Sequence, residues 1–88
     1  MKMTIEKLED KLNDLGVEKS QYSLSGELNS DAIILNKNYN VWEVFYLDEK
    51  GNRNNEKNFD TESEACFYIY KLFKDAKDIE QKFKINIM

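Results

Sequence analysis

Apolar residues along this chain follow a helical period at both ends and a period of two in the middle. Ile5, Leu8, Leu12 and Leu15 recur at spacings of three, four and three, which is one stripe on an α-helix. Thr4 precedes the stripe as an N-cap candidate, and Gly16 follows it where a C-terminal glycine belongs. Glu6, Lys7, Glu9, Asp10, Lys11 and Asp14 fill the other side. The stripe is narrow, so this helix must pack on a sheet or a second helix and has little reason to form alone.

Between Gln21 and Asn58 the alternation predicts strands. Residues 21–24 read as a short first strand, 25–30 as a turn and 32–37 as a second strand, with 38–40 as a tight connection. Val41-Trp42-Glu43-Val44-Phe45-Tyr46-Leu47 is the strongest strand, rich in β-branched and aromatic residues. Residues 48–55 form a polar loop with glycine and asparagine for left-handed positions, and 56–59 read as a fourth strand at the sheet edge. The loop's acids are not spaced as a calcium site requires.

Helical period returns at Thr61-Glu62-Ser63-Glu64, a capping box in which Thr61 caps and Glu64 reaches back. Ala65, Ile69, Leu72, Phe73, Ala76, Ile79 and Phe83 then share one side, predicting a helix from about residue 61 to 83. The alternating tail, 85–88, reads either as frayed or as a further strand. The order is α-β-β-β-(β)-α. Short connections favour an antiparallel meander of three to four strands, with both helices packed on one sheet face. The other face is expected to stay open, as antiparallel sheets allow. Eighty-eight residues are room for one domain.

Charge changes this picture locally. The net charge is −4, but residues 27–64 carry nine acids against four bases, while residues 65–88 carry five lysines against three acids. An acidic domain repels phosphate backbones, which argues against nucleic acid, and it attracts a basic protein. One cysteine, Cys66, excludes an intramolecular disulfide, and the N-terminus lacks the apolar run of a signal peptide. No stretch approaches the ~20 apolar residues of a membrane span. The expectation is a cytoplasmic protein.

The chemistry available is sparse. There is no histidine, so Ser–His–Asp and Cys–His nucleophiles and the usual zinc sites cannot be assembled. The glycines are scattered at turns and form no phosphate loop. Cys66 lies beside the apolar stripe and reads as a buried structural thiol rather than an activated one. We expect no enzyme, no cofactor and no metal. On the strongest strand, Glu43 marks its side as solvent-facing, so Trp42, Val44 and Tyr46 are assigned to the helices. Phe45 and Leu47 then fall on the open face, rimmed by Glu43, Asp48 and Glu49; an aromatic centre with a charged rim is how binding patches look, and the alternative is that a helix edge or the tail covers it. Phe67 lies opposite the stripe of the second helix, near Lys71 and Lys74, either exposed for contact or covered by a second copy. Glu43, Phe45, Leu47, Asp48, Glu49 and Phe67 are the candidate partner-binding residues.

Tyr22-Ser23-Leu24-Ser25-Gly26, Val41-Trp42-Glu43-Val44-Phe45-Tyr46 and Phe59-Asp60-Thr61-Glu62-Ser63-Glu64-Ala65-Cys66 together resemble small immunity proteins of bacterial polymorphic toxin systems, those encoded beside LXG-type toxins. The resemblance covers about residues 20–73. It implies a cytoplasmic antidote that binds and blocks a cognate protein toxin, without catalysis; the acidic middle of the chain adds the expectation that the toxin is basic at its contact surface. The resemblance carries over no binding residue. The alternative is a small cytoplasmic adaptor that self-associates and binds another protein.

Overall fold

The first apolar stripe folds as helix α1, Ile5–Asp14, in a computed structural model that describes residues 2–87, with side chains through residue 79. The Thr4 hydroxyl accepts the Lys7 N–H at 3.2 Å, which satisfies one of the free donors of the first turn. One more first-turn donor, and the N–H of Met3 just before the cap, are satisfied from the start of the second helical segment. Glu62 Oε2 accepts the Ile5 N–H at 2.9 Å, and Ser63 Oγ accepts the Met3 N–H at 3.0 Å. At its other end α1 closes with Gly16 at φ 78°, the Gly16 N–H bonding to the Asn13 carbonyl and the Val17 N–H to the Leu12 carbonyl. That double closure needs a left-handed residue after the cap, which is why glycine stands there.

Four strands form one sheet in the order β1-β2-β3-β4: β1 is Tyr22–Ser23, β2 Ala32–Asn38, β3 Val41–Leu47 and β4 Arg53–Phe59. β2, β3 and β4 are the expected antiparallel meander. β4 begins earlier than its hydrophobicity suggests, because Arg53 and Asn54 already pair with Leu47 and Tyr46. β1 departs from the meander and pairs parallel to β2, with Tyr22 opposite Ile33 and Ser23 opposite Ile34. Parallel neighbours cannot be joined by a tight turn, so segment 24–31 must leave the sheet and cross one of its faces.

Helix α2, Glu62–Ile87, returns across the same face as α1. Thr61 and Glu64 pair through their side chains at 3.0 Å, and the Glu64 N–H reaches Thr61 Oγ1 at 3.2 Å. The helix runs on through 85–87 instead of ending near residue 83, since no glycine or proline follows Gly51 to stop it. The tail is therefore neither frayed nor a strand up to Ile87. The side chain of Phe83, assigned to the stripe, lies outside the described residues.

The main core sits between helices and sheet. Leu8 and Leu12 of α1 and Ala65, Cys66 and Ile69 of α2 meet Tyr22, Leu35 and Val44, with Trp42 half-buried beside them. Trp42 and Val44 thus point to the helices, as expected. The opposite face is not open. Ala32, Ile34, Phe45 and Leu47 form a second buried cluster there. Leu24 still packs against the helix-side core, and the connection then passes this second face at Gly26. A Cβ on Gly26 would stand 2.9 Å from Asn36 Oδ1, and Asn36 points to the same side as Ile34. The crossover ends where the Asp31 N–H bonds to the Leu47 carbonyl at 2.7 Å. Arg53 completes the cover, its guanidinium 4.2 Å from the Phe45 ring centroid.

Candidate functional site

α2 is longer than the sheet beneath it. Its 26 residues span about 39 Å, whereas strands of seven residues span about 24 Å. The first half is fixed by Ala65, Cys66 and Ile69. Past Ile69 the helix still faces the sheet, but across a gap. Phe73 still meets Tyr22 edge-on, ring centroids 6.3 Å apart. Leu72 is 37% exposed and Ile79 56%, and Ala76 between them is exposed too. The sequence assigns these three to the core stripe; a gap between α2 and the sheet leaves Leu72 and Ala76 exposed on its wall, and Ile79 in solvent beyond it.

Between this half of α2 and the helix side of β3 and β4 lies an open trough of about 610 Å³. Ile33, Val44, Tyr46, Tyr68, Leu72 and Phe73 give it an apolar floor and wall. Asn55, Glu56 and Lys57 form its outer edge. That edge is irregular: Asn55 takes φ 56°, and β4 places two residues opposite Phe45 where the regular ladder would place one. A smaller hollow of about 360 Å³ continues the trough past Tyr46, Phe73 and Ala76 to Asp31 and Lys77. There the Tyr46 hydroxyl donates to Asp31 Oδ1 at 3.0 Å. This hydrogen bond, then loss of solvent and the charges of Asp31, Asp48 and Glu49, raises the Tyr46 hydroxyl above its ordinary pKa of 10.0.

The six residues singled out from the sequence do not form one surface. Phe45 and Leu47 are 1% and 6% exposed, so neither lies on an open face. Glu43 is half-buried and engaged from three sides, by Asn36 Nδ2 at 3.1 Å, Asn38 Nδ2 at 3.4 Å and Arg53 Nη1 at 3.8 Å. Asp48 organises the β3–β4 turn: Oδ1 accepts the Asn52 N–H at 2.8 Å and the Lys50 N–H at 3.0 Å, and Oδ2 accepts Asn54 Nδ2 at 3.3 Å. These bonds, that from Asn52 first, hold its carboxyl below the ordinary range. Glu49 is exposed in the same turn, and Phe67 is 43% exposed on the outer side of the helix layer. Sequence reading missed the trough. The signal was present in the length of the second helical pattern, which exceeds any strand it could cover.

The trough does not converge polar groups as a catalytic pocket does. Among the described residues no three His, Cys, Asp or Glu side chains are grouped to hold a metal ion, and no helix is long and apolar enough to cross a membrane. Cys66 is fully buried, and loss of solvent, followed by the nearby Glu62 charge, pushes its thiol up to about 11. The folded state therefore holds the proton that an unfolded chain releases. The neutral thiol's contribution to stability is intact below its ordinary pKa of 9.0 and is lost as pH rises towards about 11. Urea midpoints should fall across that window for the wild type and fall less for Cys66→Ala; parallel pH profiles would contradict the assignment.

Comparison with protein-family models, with curated proteins and with solved structures yields no match to this chain.

Proposed function

We propose that this chain is a cytoplasmic immunity protein that neutralises a cognate protein toxin by direct contact, and that the contact is made along the trough beside α2. The observation carrying this reading is the gap between α2 and the sheet, where Leu72 and Ala76 are exposed along an apolar floor, with Ile79 exposed one turn beyond. Exposed apolar residues gathered along one groove mark an interaction surface, whereas scattered ones do not. Asp31 and Glu56 lie on its rim with Lys57 and Lys77 among them, and the Glu49 charge acts on Tyr46 in its floor. The acids would meet a basic partner, such as a nuclease that must itself hold phosphate. β4 is an edge strand of mostly polar, exposed residues broken by a bulge, a form that resists pairing with another strand. Side-chain docking into the trough is therefore favoured over strand addition.

Co-expression with the toxin encoded by the neighbouring gene tests the reading. The wild-type chain should restore growth. Failure to rescue, or a neighbour that is not toxic, would remove the immunity reading. Self-association through α2, the adaptor reading, predicts a concentration-dependent dimer that Leu72→Asp abolishes.

A further inference from the structure

On the outer side of the helix layer, away from the trough, the two helices flank a separate and still smaller hollow. It measures about 110 Å³ and is lined by Met3, Phe67 and Tyr70 with the side chains of Lys2, Lys7 and Lys11. Lys11 Nζ sits 5.5 Å from the centroid of the Tyr70 ring. Lys71 stands one turn beyond Phe67 on α2 and Lys74 nearly two. Lys74 is paired with Asp78 at 3.6 Å, whereas Lys2, Lys7 and Lys71 meet no carboxylate at ion-pair distance among the described residues. Glu64, one turn before Phe67, is held by Thr61. A chain of net charge −4 thus has a basic face centred on a 43% exposed phenylalanine.

We propose that this face is a second docking surface, and that it takes an acidic protein segment carrying one aliphatic side chain. Lysines around an apolar hollow complement carboxylates flanking an apolar residue. The hollow is partly open and smaller than the roughly 150 Å³ cavity that holds benzene, so it suits one aliphatic side chain better than a planar base. Nucleic acid is disfavoured further because the one arginine of the sequence, Arg53, lies on β4 over Phe45, leaving no guanidinium here for bidentate phosphate contacts. An anionic membrane needs a broad apolar face beneath the basic residues, and a single phenylalanine does not supply one.

Titration of the isotope-labelled full chain with a short Asp/Glu-rich peptide bearing one central leucine tests this by NMR. Saturable shifts confined to residues around Phe67, Lys7, Lys11 and Lys71 are expected. The leucine-to-serine peptide should bind about tenfold more weakly, as should Lys7→Glu/Lys11→Glu, while Lys7→Arg/Lys11→Arg retains binding. Absence of saturable shifts would overturn the proposal, as would equal affinity for the serine peptide. Tighter binding of duplex DNA or of phosphatidylglycerol vesicles to the same residues would overturn it in favour of those ligands, and a dimer broken by Lys11→Glu would assign the face to a second copy.

Discussion

Phe45→Ala is expected to lower the unfolding free energy by about 3–5 kcal/mol, the usual cost of emptying a buried aromatic site. Phe45 is 1% exposed and is the largest member of the cluster on the second sheet face. Its removal leaves a cavity among Ala32, Ile34 and Leu47, which β2, β3 and the crossover cannot fill without moving. It also takes the ring from beneath Arg53, a cation–π contact worth about 0.5–1 kcal/mol at such a partly exposed site. Small domains have about 5–15 kcal/mol in total, so the loss is a large fraction of the whole. Urea denaturation reads this directly. A loss below about 1 kcal/mol would mean that the face is solvated and that Phe45 is free to meet a partner, as the alternation of the sequence alone suggests.

Leu12→Ala is expected to cost about 2–5 kcal/mol and to release α1 before the rest of the fold. A helix of 10 residues is marginal by itself, so α1 persists because it is docked. Leu8 and Leu12 are its fully buried side chains, and the Leu12 carbonyl also accepts the Val17 N–H that closes the helix. The hydrogen bonds from Ile5 and Met3 to Glu62 and Ser63 hold only the N-terminal end. Hydrogen exchange should therefore show residues 8–15 losing protection ahead of β2 and β3. Uniform loss across the chain would mean that α1 and the sheet form one cooperative unit.

Much of the fold was legible because local signals agreed. The Ile5–Leu15 stripe, Gly16, the capping residues Thr61 and Glu64, and the Val41–Leu47 strand each specify their element through spacing and backbone preference, and each is found. Two features were not legible. Parallel pairing of β1 depends on two residues, Tyr22 and Ser23, and on where an eight-residue connection travels, which no periodicity encodes. That crossover closes the face expected to be open, and it turns Phe45 and Leu47 from surface into core. Glu43 misled for a related reason: a carboxylate on a strand suggests solvent, but here Asn36, Asn38 and Arg53 satisfy it over a buried cluster. The trough was hidden by the reverse effect. Leu72, Ala76 and Ile79 have the spacing of core residues, but Leu72 and Ala76 line a gap between α2 and the sheet, and Ile79 is exposed beyond it.

The central claim is that a partner protein docks along the trough beside α2. Its most direct test is calorimetric titration of the purified product of the neighbouring gene into the wild-type chain and into Leu72→Asp. Leu72 is 37% exposed, so the substitution leaves the core intact and places a charge on the apolar wall. A central apolar contact of this kind is worth about 2 kcal/mol or more, so the variant should bind at least roughly thirtyfold more weakly while unfolding at the wild-type urea midpoint. Equal affinity for the two chains would contradict the account and place the partner elsewhere on the molecule.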